Sequence, residues 1–312
     1  MKTYPRFALA AGLLLCAALP AFAKIERTIE KSFTVQPGGS LHVETQGGNI
    51  TVQPSADGTV KVTAKQKIRA DSEAQADDLL KELTLTMEQA GNDVTVIAKF
   101  EKRSGFRWGS NPVQVDFVVS APASFANDLR TSGGNVTLGD FGGKVRARTS
   151  GGDIKLGKLG GDVNASTSGG NVSLVEGRGE VKLGTSGGDI SVGHAVGPTD
   201  LSTSGGNIKV ESVENVIHAS TSGGDIRAVI VGALKGDSSL GTSGGKVRVS
   251  LDKSAAFHLD ASTSGGDVEA DGLTITIERG GRGKSRLAGA VNGGGPLLKL
   301  RSSGGDVVLQ TL

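Results

Sequence analysis

The chain has 312 residues, and 34 Lys and Arg against 32 Asp and Glu leave a formal net charge of +2, too small for a nucleic-acid surface, which needs a basic excess. Its 49 glycines follow no three-residue period and sit at fixed places between alternating apolar residues, which excludes collagen and a disordered linker. Cys16 is the single cysteine, so disulfides and cysteine-based metal sites are excluded.

Residues 1–23 read as a secretory signal. Lys2 and Arg6 form a basic start, "FALAAGLLLCAALPAFA" comes next as the apolar core, and Ala21-Phe22-Ala23 is a small-x-small cleavage site. The apolar run is too short to span a bilayer comfortably, and Leu15 is too bulky before Cys16 for lipoprotein cleavage. The mature chain then begins at Lys24 without cysteine and with balanced charge. An exported protein is expected, periplasmic or secreted to the cell surface, with no transmembrane segment.

Residues 24–130 read as a β-rich segment that caps the repeats of 131–312. "SLHVETQGGNITVQP" carries one degenerate turn, "QGGN". Period-two alternation predicts strands at about 58–68, 83–89, 92–100 and 112–120. "DSEAQADDLLKEL" predicts one amphipathic helix over about 72–83, capped by Asp71 or Ser72, with Ala76, Leu79, Leu80 and Leu83 on one face. This helix is expected to cover the open edge of the first coils. "EKRSGFRWGSNP", Glu101 to Pro112, holds Arg103, Phe106, Arg107 and Trp108. A basic-aromatic loop of this kind suits a glycan, an anionic head group or a protein partner; equally, its aromatics would plug one end of the fold.

Residues 131–312 repeat. T-S-G-G-[ND] begins at Thr131, Thr149, Thr167, Thr185, Thr203 and Thr221, a step of 18 residues. One unit, "TSGGDIKLGKLGGDVNAS", holds two short alternating runs separated by Gly-Gly pairs, expected to supply positive φ. Stacking the units aligns Val136, Ile154, Val172, Ile190, Ile208 and Ile226, and likewise Val145, Val163, Val181, Thr199 and Ile217. This alignment predicts an all-β fold, a parallel β-solenoid of 18-residue coils whose thin aliphatic core has little room for aromatics, 4% of the chain. Right-handed winding is expected from the hand of parallel crossovers. Later turns at Thr242, Thr263 and Ser302 are more widely spaced, so extra residues are expected to loop out while the turn stays stacked.

The fifth turn position alternates: Asn135, Asp153, Asn171, Asp189, Asn207, Asp225. Stacked carboxylates about 4.8 Å apart would repel, and Asn in every second coil doubles that spacing. Calcium is the rival reading, but the G-G-x-G-x-D pattern is absent and Lys246 occupies the same position in "TSGGK".

Catalytic signatures are sparse. The outward columns Arg146, Asn164, Lys182, Asp200, His218 and Arg148, Ser166, Gly184, Ser202, Ser220 read as a solvated face. His42, His194, His218 and His258 have no metal spacing. No G-x-S-x-G elbow occurs, and "GRGKSRLAG" lacks the spacing of a phosphate loop. No enzyme activity and no cofactor are expected. Lys144, Arg146, Arg148, Lys155 and Lys158 form a basic patch in the first full coils, read first as a solvated face, with a contact for an anionic envelope polymer as the lesser alternative.

The T-S-G-G-[ND]-[IV] turns, the opening "FTVQPGGSLHVETQGGNITV" and the closing "LAGAVNGGGPLLKLRSSGGDVVL" together resemble the DUF4097 family of β-strand-repeat proteins, candidate adhesins. The resemblance covers nearly all of 24–312. It implies a right-handed β-solenoid at the bacterial envelope and brings no catalytic residues. The expectation is an exported, non-enzymatic binding or scaffold protein, adhesin-like, presenting its surface to a polysaccharide, envelope polymer or protein. A carbohydrate-active lyase or hydrolase and an envelope-stress sensor are the alternatives.

Overall fold

The computed structural model describes residues 24–100 and 112–312. Residues 1–23, expected to be a secretory signal, and the residues Arg103, Phe106, Arg107 and Trp108 lie outside the described residues.

Each 18-residue unit makes one coil of two strands. In the coil that opens at Thr149, Ile154–Leu159 joins one sheet and Val163–Ser166 the other. Every strand pairs in parallel with its counterpart one coil on: Ile154 with Val172, Leu156 with Leu174, Val163 with Val181 and Ala165 with Leu183. The result is a solenoid of two facing sheets, thirteen-stranded and fourteen-stranded. Period-two alternation sends Ile154, Leu156, Val163 and Ala165 between the sheets, where all are buried, and Lys155 and Asn164 outward. No aromatic residue occurs between Phe141 and Phe257. The fully buried Phe117, Phe125 and Phe257 belong to the less regular coils toward the two ends.

The glycine pairs of the T-S-G-G turns do not supply positive φ. Among the described residues, the glycines with positive φ lie elsewhere, at positions such as Gly38, Gly91 and Gly232. The turn needs glycine for a different reason, close stacking. A Cβ on Gly206 would sit 1.9 Å from the carbonyl oxygen of Gly188, one coil earlier, whereas on Gly205 it would meet its nearest atom at 3.4 Å. The second glycine of the pair is therefore the obligatory one.

The N-terminal end is closed by antiparallel strands. On the first sheet, Lys24–Thr34 pairs with Thr59–Arg69, which pairs with Val113–Pro122. On the second, Leu83–Ala90 pairs with Asp93–Phe100. Ser40–Thr45 and Ile50–Ser55 already form a coil, in parallel register with Ala126–Thr131 and Val136–Leu138. The helix runs Glu73–Leu80, with Ser72 as its N-cap accepting from the Gln75 N–H at 3.2 Å. It is shorter than the expected span because Leu83 is drawn into a strand opposite Phe100. Eight residues reach only about 12 Å, so the strands, not the helix, cover the first coil. The helix connects the two sheets with Ala76 buried beneath it. Arg27 bridges from the edge strand to Glu73 at 2.7 Å and Asp77 at 2.6 Å, and Lys31 reaches the Met87 carbonyl at 2.6 Å. In register these two cations oppose the buried Gln66 and Val62. Core-side charges on an edge strand discourage further strand pairing.

At the other end the chain departs from sequential order. The last coil, Leu297–Ser302 and Val307–Thr311, pairs on one side with Ser238–Thr242 and Val247–Leu251, and on the other with Phe257–Thr263 and Val268–Asp271. The Ser302 turn thus stacks between those of Thr242 and Thr263, not after them. The outer edge of Phe257–Thr263 is taken by the antiparallel strand Arg286–Val291, itself paired with Ile275–Gly283. The last coil fills the inner edge that this hairpin leaves.

Candidate functional site

Two ladders make the scaffold rigid. In the first, each turn threonine is buried and bonds across coils: Thr185 Oγ1 donates to the Gly170 carbonyl at 2.8 Å and accepts from the Gly188 N–H at 3.3 Å. The second runs through the Asn/Asp column. Each side-chain oxygen accepts the backbone N–H of the same position one coil on: Asn135 from Asp153, Asp153 from Asn171 and Asn171 from Asp189, each at 2.8 Å, then Asp189 from Asn207 at 2.7 Å and Asn207 from Asp225 at 2.8 Å. Asp225 hands on to the Lys246 N–H at 2.7 Å. Asp306 and Asp267, the next two members, are the only acids directly stacked in this column among the described residues. Both carry a lysine: Lys246 lies 2.9 Å from Asp306 and Lys284 lies 3.4 Å from Asp267.

On the outer face of the second sheet lies a groove of about 500 Å³. It crosses five successive strands, from His42 through Asp128, Arg146 and Asn164 to Lys182. Four strand spacings make it about 19 Å long, parallel to the solenoid axis. A second row, Lys144, Asp162 and Glu180, flanks it at the strand starts. No Phe, Tyr or Trp is among the lining residues.

The groove is a mosaic of ion pairs. Lys144 binds Asp162 at 3.1 Å, Lys182 binds Glu180 at 2.6 Å, and Arg130 holds Asp128 through two bonds of 2.8 and 3.0 Å. His42 lies 3.4 Å from Asp128 and 3.6 Å from Glu44, and Lys99 pairs with Glu44 at 3.1 Å. The Lys144 hydrogen bond, helped by the Glu180 backbone N–H, holds the Asp162 carboxyl below the usual carboxylate range. A glycosidase general acid needs displacement in the other direction. Arg146 and Arg148 are exposed and have no ion-pair partner among the described residues.

The basic patch read from sequence is divided. Lys144 and Arg146 line the groove with Arg148 beside it, while Lys155 and Lys158 stand on the outer face of the other sheet. The turn at Gly152 reverses the facing of the residues beyond it. Arg146, Asn164 and Lys182 of the first outward column line a concavity, and Asp128, Asp162 and Glu180 belong to it. Their signal was present: Asp128 is the column neighbour of Arg146, and Asp162 and Glu180 follow Lys144 at the 18-residue spacing. Among the described residues, no group of three or more His, Cys, Asp or Glu is placed to hold a metal ion, and no helix is long and apolar enough to cross a membrane.

The Toastrack DUF4097 family model matches residues 39–310. The chain belongs to the Toastrack DUF4097 family. No curated protein matches it at comparable stringency. Solved structures similar to this Toastrack chain include a candidate adhesin from Parabacteroides distasonis, 13% identical, covering 92% of this chain and 97% of that one with a TM-score of 0.44. A candidate adhesin from Bacteroides fragilis is 13% identical, with coverage of 92% and 97% and a TM-score of 0.39. A candidate lipid-binding protein from Parabacteroides distasonis is 12% identical, with coverage of 91% and 96% and a TM-score of 0.43.

Proposed function

We propose that this Toastrack chain is an exported, non-enzymatic binding protein of the cell envelope, adhesin-like, that holds a linear polymer in the groove of its second sheet. The observation that carries this reading is the groove itself: five coils present a polar side chain each, at the strand repeat, on a surface fixed by two hydrogen-bond ladders. That repeat is close to the length of one unit in an extended pyranose chain, which favours a polysaccharide. Export is inferred from the signal-like residues 1–23. The loop residues Arg103, Phe106, Arg107 and Trp108 are proposed as an auxiliary contact, because the strand leading into them, Asp93–Phe100, pairs with Ser40–Thr45, the first strand of the groove.

Co-sedimentation of residues 24–312 with isolated envelope polysaccharide tests the reading. Binding is expected, and Asn164→Trp, which fills the groove from its centre, should abolish it. Binding retained by Asn164→Trp but lost in Arg107→Ala/Trp108→Ala would move the site to the loop. No sedimentation with any polysaccharide would overturn polymer binding.

A further inference from the structure

We infer that the groove selects an acidic polysaccharide, with Arg146 and Arg148 together gripping the anionic group of the chain. This inference rests on the polymer-binding reading above and adds the chemical class of the ligand.

The charges around the groove are almost all spent on one another. Asp128 is taken by Arg130, Asp162 by Lys144, Glu180 by Lys182 and Glu44 by Lys99. Those four acids and four bases cancel. Arg146 and Arg148 remain, both exposed on the strand Val145–Arg148 and facing the same way. Two residues apart on a strand, they stand about 7 Å from each other. Guanidinium groups present planar forks that match carboxylate and phosphate oxygens two bonds at a time, and they stay charged at any physiological pH.

The neighbours of these two arginines along the ladder suit the rest of a sugar chain. Arg146 is followed by Asn164 and Lys182, and Arg148 by Ser166, Gly184 and Ser202. Apart from Lys182, which is held by Glu180, these are small or amide side chains that bond hydroxyls and leave room for a ring. Aromatic platforms, on which neutral sugars and nucleobases stack, are absent from the lining. Among the described lining residues the attraction must then come from charge, and Arg146 and Arg148 together outweigh the exposed Asp200 that follows Lys182. A strand of nucleic acid is a weaker fit, because among the described residues the groove offers two unpaired arginines and no aromatic lining.

The test is a titration of residues 24–312, wild type and Arg146→Gln/Arg148→Gln, with four polymers: polygalacturonate, a phosphodiester-linked glycan, neutral dextran and a single-stranded oligonucleotide. At least one acidic glycan should bind, and the double variant should lose about 10–100-fold in affinity with a flatter salt dependence and an unchanged melting temperature. The stronger of the two acidic glycans identifies carboxylate or phosphate as the group recognised. Dextran bound as tightly as the acidic glycans, with the double variant unaffected and Asn164→Trp inactive, would overturn the inference and leave the groove reading standing. The oligonucleotide bound as tightly as the glycans would also overturn it. Failure of all four polymers to bind would remove both.

Discussion

The Asp153 carboxylate accepts the backbone N–H of Asn171, its counterpart one coil on, at 2.8 Å. An oxygen acceptor is needed in every coil, but a charge is not, and we propose that this is why amide and acid alternate. Asn171→Asp keeps the acceptor and places three carboxylates in a row at about 4.8 Å intervals. It should lower Tm by a few degrees at low ionic strength, and salt should restore most of the loss. Asn171→Ala removes the acceptor for Asp189 and should lower Tm to a degree that salt does not change. Thermal denaturation followed by circular dichroism across a salt series separates the two. Equal salt response in both variants would remove the electrostatic explanation.

Gly205 and Gly206 stand side by side in one turn with different tolerances. Gly206→Ala must push the Gly188 carbonyl away and should cost about 2–3 kcal/mol or more. Gly205→Ala has room, and a less flexible unfolded chain offsets part of any strain, so it should fall within about 1 kcal/mol of wild type. Urea denaturation of the pair checks this. Matching losses would mean that backbone conformation, not stacking distance, governs the turn.

Thr185 makes both of its hydrogen bonds while buried. Thr185→Val is nearly isosteric but strands the Gly188 N–H and the Gly170 carbonyl, at a cost of about 1–3 kcal/mol. Thr185→Ser, the residue type found naturally at Ser302 in the same role, should recover most of it. A Val variant as stable as wild type would show that the threonine ladder contributes only shape.

Asp116 sits at the N-terminal end of the Asn/Asp column and is nearly buried. Burial raises its carboxyl pKa, but hydrogen bonds from Lys67, Gln114 and the Asn49 backbone outweigh burial and hold it below the ordinary value of 3.8. A depressed folded pKa stabilises the protein above the unfolded pKa, and that stability drains away as pH falls through the folded value. Acid should therefore loosen this end below about pH 4. Asp116→Asn should be less stable than wild type at pH 7 and show a shallower loss between about pH 5 and pH 2, measured as urea midpoints. A wild-type acid slope preserved in the variant would assign the acid sensitivity elsewhere, with Asp306 beside Lys246 as the next carboxyl to replace.

Periodicity made the regular coils legible: Ile154 over Val136 and under Val172 is the observed register, because parallel pairing at one coil length leaves no other way to bury the column. The helix cap was legible only as Asp71 or Ser72, and the structure has Ser72 accepting the Gln75 N–H. Close approach was not: nothing in the letters Gly-Gly distinguishes a residue that needs positive φ from one that needs absence of a Cβ. Nor was the place of Ser302 between Thr242 and Thr263, because coil order is set by which edge the 275–291 hairpin leaves open. The groove was half legible. Its rows, Lys144-Asp162-Glu180 and Asp128-Arg146-Asn164-Lys182, could be read at the repeat spacing, but their convergence into a concavity depends on sheet curvature and side-chain direction.

The seating of the last coil bears on how the molecule is made. A solenoid wound strictly in order could set behind the ribosome or the export channel, each turn finding its final neighbour as it emerged. Here Phe257–Thr263 and Val268–Asp271 emerge before the strands that join them to the body, Leu297–Ser302 and Val307–Thr311. That penultimate turn must wait, held only by its own hairpin, until roughly the final fifteen residues arrive to slot in. The carboxyl terminus thus works as a keystone: a chain cut short near residue 295 would lose an internal course of the wall, not its coping, and quality control acting on incomplete chains would meet an open seam.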